Sequence, residues 1–227
     1  MVLSADIEKL ERHFVPLDYT LTDWASLAPF FKKLSERELA SGSDLEQWLK
    51  DMSELEAVVS EDACWRQIKM TCDTTDKNLE DAFAYFCMEI QPKLQPYADL
   101  LNRKLVDCPF TKELNQQKYF TYLRSVKKNI DLFREANIPL QAELSVMQQQ
   151  YGAIAGKMTV EVNGEEYTLQ QAAKFLESHD RSLREAVYRK IQDRRFQDQK
   201  AMHELYSQLI QKRDMFARSA GFAHYRA

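Results

Sequence analysis

Glycine and proline are both scarce, five and six among 227 residues. A strand-and-turn architecture consumes these residues at its tight turns, so their scarcity argues against all-β folds and favours helices. It also leaves little material for a phosphate-cradling glycine loop or a dinucleotide fingerprint. Neither motif occurs, nor does the G-x-S-x-G elbow. No apolar run approaches the roughly 18 residues of a membrane span, so a membrane partner is not expected. Charge of one sign is missing too: 31 bases against 35 acids, well mixed, give a net −4. Nucleic acid needs a basic surface and is likewise not expected as a partner. The opening "MVLSADIEKLERHF" carries charges early and lacks a signal-peptide core, which makes the cytoplasm the expected location.

Residues that carry chemistry are equally thin. The four histidines, His13, His179, His203 and His224, include no two spaced three to five apart, so no metal-ligand pair is visible. Cys64, Cys72, Cys87 and Cys108 form no C-x-x-C pair and read as buried thiols. The stretch "MHELYSQ", residues 202–208, begins like the zinc-protease signature H-E-x-x-H, but Ser207 stands where the second histidine would be. His203 therefore reads as a lone helical histidine, polar surface or a capped core residue. The pairs Glu54 with Glu56 and Glu165 with Glu166 read as solvated charge, because acid–base work needs surroundings that push two pKa values apart. "RKIQDRRFQDQK", at 189–200, has its bases diluted by aspartate and glutamine and reads as a solvated helix face. Tyr85, Phe86, Tyr97, Tyr119, Phe120, Tyr122 and Phe133 could line a peptide groove, although helix–helix core is the commoner fate of such residues. No catalytic, cofactor-binding or metal-binding residue is assigned from these patterns.

What the chain has in quantity is helical periodicity. Trp24, Leu27, Phe30, Phe31 and Leu34 recur at spacings of three and four, with Thr22 or Asp23 as the cap. Ser43 and Glu46 match a capping box that opens a long helix toward Met70. A further helix is expected over 75–105, disturbed by Pro92 and Pro96 with a kink or junction near 91–96. Others follow over 112–135, from "NIPLQ" to Gly152 or Gly156, over 170–177, and over 181–220 behind Asp180. That last element, read as one long helix or as one with a single break, would span roughly 60 Å at about 1.5 Å per residue, too long for its own domain. It has no evident glycine cap or proline stop. "MTVEVNGEEYTL", at 158–169, breaks the pattern: Asn163-Gly164 between β-favouring residues predicts a two-residue hairpin. The fold class is mainly α, a multi-helix array with one small hairpin and a long C-terminal helix.

Three stretches together resemble a known family: "EDACWRQIKMTCDTTD" at 61–76, the run from "FREANIPLQAELSVMQQQYG" through "TLQQAAKFLESHDRSLREAVYRKI" at 133–191, and "ARSAGFAHYRA" at 217–227. They are similar to the amino-terminal half of the M3-family oligoendopeptidases of the oligoendopeptidase F type. The resemblance implies a zinc metalloendopeptidase that hydrolyses short peptides, with the helical amino-terminal region forming one wall of the substrate channel. It implies residues 1–180 as that helical domain and 181–227 as a long helix leading into a catalytic domain of the same chain. In the family the H-E-x-x-H helix and a further glutamate ligand come later than the point reached here, so His203 and Glu204 are a chance pair. Zinc is then expected in the full-length enzyme and not on this segment, which is expected to be inactive alone. The alternative from the residues is a stand-alone helical module that binds a protein or peptide without catalysis.

Overall fold

The computed structural model describes residues 12–226, so most of the opening stretch judged for a signal peptide lies outside the described residues. The chain is mainly α. Helices α1 (Trp24–Glu36), α2 (Gly42–Cys72), α3 (Lys77–Tyr85), α4 (Gln91–Asp107), α5 (Gln116–Leu132) and α6 (Asn137–Gly156) precede a hairpin of β1 (Thr159–Val162) and β2 (Glu165–Thr168). The short α7 (Leu169–Ala172), continued by a 3₁₀ turn, leads to α8 (Arg181–Gln197) and α9 (Gln199–Ser219). The described residues gather into two compact units, one built from residues up to 65 and 93–133, the other from 66–92 and 134 onward.

In the first unit, α1 starts where expected. Asp23 caps it, accepting from the Ser26 amide at 2.8 Å in a capping box. α2 begins earlier than expected: Ser41, not Ser43, accepts from the Asp44 amide at 3.1 Å, and the Gly42 amide donates to Glu113 at 3.1 Å. A Cβ on Gly42 would lie 2.6 Å from that carboxylate oxygen and 3.1 Å from the Glu113 Cβ, so a side chain here would displace the Glu113 carboxylate from the Gly42 amide. The core holds Leu27, Leu34, Leu45, Trp48 and Leu55, all fully buried. Each such leucine is worth about 2 kcal/mol of transfer energy. At the C-terminus of α1 the free carbonyls find partners from two other helices. Trp48 Nε1 donates to Leu34 O at 2.9 Å, and Lys104 Nζ donates to the carbonyls of Leu34, Ser35 and Arg37 at 3.2, 2.8 and 2.5 Å. The extended chain ahead of α1 is pinned by Glu54, which accepts from the amides of His13, Phe14 and Val15 at 2.9, 2.9 and 2.7 Å.

The disturbance expected near Pro92 takes the form of a wide turn. Residues Phe86–Ile90 are π-helical, with the Gln91 amide donating to Phe86 O. Pro92 has no amide to give and its ring would crowd the carbonyl four residues back, so a widened turn before it relieves the clash without ending the helix.

In the second unit, the hairpin is as expected. Asn163 and Gly164 take φ of 56° and 85°, and Val162 faces Glu165 across the turn. It packs against α7 and α8 through Val160, Val162, Ala172, Val187 and Ile191. Lys190 Nζ reaches back from α8 to donate to Glu161 O at 2.7 Å. A second cluster joins α6 to α9 through Leu144, Met147, Leu205 and Leu209. The element over 181–220 proves to be two helices, parted at Asp198, whose carboxylate is held by Arg194. α9 also has a glycine stop, against the expectation of none. It ends at Ser219, Phe222 N donates to Ala217 O at 3.0 Å, and Gly221 sits at φ 92°.

Candidate functional site

Taken one by one, the chemistry-bearing residues fall apart rather than converge. Among the described residues, no group of three or more His, Cys, Asp or Glu side chains lies where it could hold a metal ion. These residues therefore do not fit a zinc centre by themselves. His203 is exposed on α9, while Glu204 beside it reaches Lys200 at 3.9 Å. The cysteines are all free, but the expectation of buried thiols holds only in part. Cys64 and Cys72 are exposed on α2, Cys108 is half-buried, and Cys87 is buried, its thiol pushed up to about 11 by that burial. Helical spacing alone does not say which face a long helix buries, and Cys64 and Cys72 lie on the outer one.

The carboxylates Glu54 and Glu56 do differ in environment, as sequence alone could not reveal. Burial pushes Glu54 up, but its three amide donors outweigh that and hold it below the ordinary range. Glu56 keeps solvent access, yet the protein around it raises its carboxyl. The two do not form an acid–base pair, since the oxygens of Glu54 are taken up by backbone. Tyr122 keeps 36% of its surface in solvent, yet the protein packed around its hydroxyl raises that group, and the charge of Glu56 adds to the effect. The aromatic set splits. Phe86 is buried, and Tyr97 packs on Trp24 and Phe31 at 5.5 and 5.7 Å between ring centres. Tyr85, Phe120 and Tyr122 remain exposed.

One concave feature stands out, and it lies wholly within the second unit. A cavity of about 730 Å³ opens where the end of α6, α7 and the α8–α9 break meet. Tyr151, Phe196 and Tyr206 line it with largely exposed rings, and Met158 and Met202 supply better-buried apolar surface. Its polar lining is Gln170, Gln192, Gln199, His203 and Arg195, without a carboxylate. Sequence reasoning missed this site because its residues come from four separate elements. The only hint was a helical run carrying Phe196, Met202 and Tyr206 beyond what its buried face needed.

Comparison with known proteins supplies what the geometry does not. The fold is that of a structure described as an oligoendopeptidase F, with a TM-score of 0.84 at 24% identity over 92% of this chain and 37% of that one. It also matches PZ peptidase A with an inhibitor, at TM-score 0.83 and 20% identity, over 94% of this chain and 38% of that one. A structure from Bacillus anthracis str. Ames, also described as an oligoendopeptidase F, gives TM-score 0.82 and 19% identity over 95% of this chain and 40% of its own. The chain thus spans about two fifths of the solved structures it resembles. No curated protein matches it at a significant level. The model of the peptidase M3 N-terminal domain matches residues 14–133, just over half of the sequence, and on that match the chain belongs to the peptidase M3 family.

Proposed function

We propose that this chain is the N-terminal part of a zinc-dependent metalloendopeptidase acting on short peptides, and that its helices form one wall of the channel that holds them. The observation that carries this reading is the match of residues 14–133 to a peptidase N-terminal domain, in a chain about two fifths as long as the solved structures of the same fold. In this reading residues 1–180 are the helical wall, and 181–227 lead toward a catalytic domain of the same polypeptide. In this reading the zinc is held in that later region, where the family places its H-E-x-x-H helix. What the present chain contributes is confinement and apolar contact, with exposed aromatic side chains such as Phe120 and Tyr122 of the first unit available to a peptide. A cytoplasmic location belongs to the same proposal and is supported by four unpaired cysteines. Cell fractionation checks it.

The test is a side-by-side assay of the gene's complete reading frame and of this 227-residue chain on an internally quenched peptide, with and without a chelator. Chelator-sensitive hydrolysis is expected from the complete frame alone. Hydrolysis by the 227-residue chain, or a reading frame that stops after Ala227, would overturn the proposal. In the second case the chain is better read as a stand-alone binding module, which the aromatic-lined cavity of the second unit favours.

A further inference from the structure

The cavity of the second unit has an unusual charge arrangement. On α8, Arg184 donates to Ser178 O at 2.6 Å, Arg189 pairs with Glu185 at 2.8 Å, Lys190 is held by Glu161 O, and Arg194 by Asp198. Arg195 lines the cavity and has no hydrogen-bond or ion-pair partner among the described residues. Of the carboxylates nearest it in sequence, Asp198 pairs with Arg194 and Glu204 with Lys200, and Asp193 is not among the residues that line the cavity. The cavity thus joins one permanent positive charge, without a compensating acid, to apolar walls made of three aromatic rings and two methionines.

From this juxtaposition we infer that the cavity binds a carboxylate carried on an apolar or aromatic body, the carboxylate meeting Arg195 and the body lying among Tyr151, Phe196, Tyr206, Met158 and Met202. A guanidinium presents a planar fork of donors that matches a carboxylate. The lone permanent cation suits a monoanion better than a doubly charged phosphate, and Gln192 and Gln199 supply amide donors for further polar atoms. A volume of about 730 Å³ lies within the range of small-ligand sites and has room for a few amino-acid residues. The inference stands on the cavity and does not depend on the peptidase reading. Two sources supply this chemistry, the C-terminal end of a short peptide and a free aromatic acid.

The experiment uses methyl-labelled methionine and NMR on the 227-residue chain, titrated with N-acetyl-phenylalanine, its amide, the tripeptide Ala-Ala-Phe, and that tripeptide amidated. The acids are expected to shift the methyls of Met158 and Met202 while leaving Met52 unmoved, and to bind about tenfold more tightly than the amides. Arg195→Gln should erase that preference. Arg195 is exposed and makes no bond within the fold, so this variant should keep its helical content. Tighter binding of the tripeptide acid than of N-acetyl-phenylalanine identifies a peptide end as the ligand, and equal binding identifies the carboxylate and ring alone. Equal affinity for acids and amides, an unchanged preference in Arg195→Gln, or no binding by any of the four probes overturns the inference.

Discussion

At the scale of single residues, two charged side chains replace water at backbone groups that secondary structure leaves unpaired. Glu54 takes three amides of the leading segment, and its pKa is lower folded than unfolded. For a carboxylate so depressed, the stabilisation is fully present above the unfolded pKa and is lost as pH falls through the folded one. Glu54→Gln should therefore cost about 1–2 kcal/mol at pH 7. In urea titrations the gap between the two proteins should close below about pH 4. Lys104 does the complementary work for three carbonyls at the end of α1. Lys104→Met keeps much of the stem's bulk but leaves those carbonyls short of a donor, and should lower stability by about 1–3 kcal/mol in the same assay. Neither role could be seen in sequence, since each links residues 39 to 70 positions apart.

At the scale of elements, what could be read depended on how local the cause was. The hairpin turn was legible because Asn163 and Gly164 satisfy its backbone demand by themselves. Gly164→Ala puts a side chain at φ 85° and should cost about 1 kcal/mol, measurable as a lower midpoint of thermal unfolding. The cap at Asp180 was legible for the same reason, and Asp23 was one of two candidates, with Thr22, for the cap of α1. The start of α2 was misjudged because two serines both suit a cap, and Glu113, distant in sequence, decides between them. The break at Asp198 has no glycine or proline to announce it. The stop at Gly221 was legible in principle, since a glycine two residues past a helix is an ordinary terminator.

At the scale of the whole molecule, family membership was legible in part of the chain and shown through another part. Of the three stretches that carried the resemblance, only 61–76 falls within the matched residues 14–133, apart from a shared boundary at 133. The mainly α class followed from composition and periodicity, whereas the cavity did not, because no single element contains it. Apolar side chains remain exposed along α9, with Tyr206 and Ile210 one turn apart. The chain should accordingly bind a hydrophobic dye and associate as its concentration rises, and Ile210→Glu should reduce both while leaving helicity intact. Association through the sheet is another matter. With a two-residue turn, Val162 and Glu165 form the hydrogen-bonded closing pair, so Glu161 turns its own amide and carbonyl outward along the free edge of β1. Lys190 already occupies that carbonyl. With a lysine standing over one of its outward carbonyls, that edge is a poorer template for a strand from another copy.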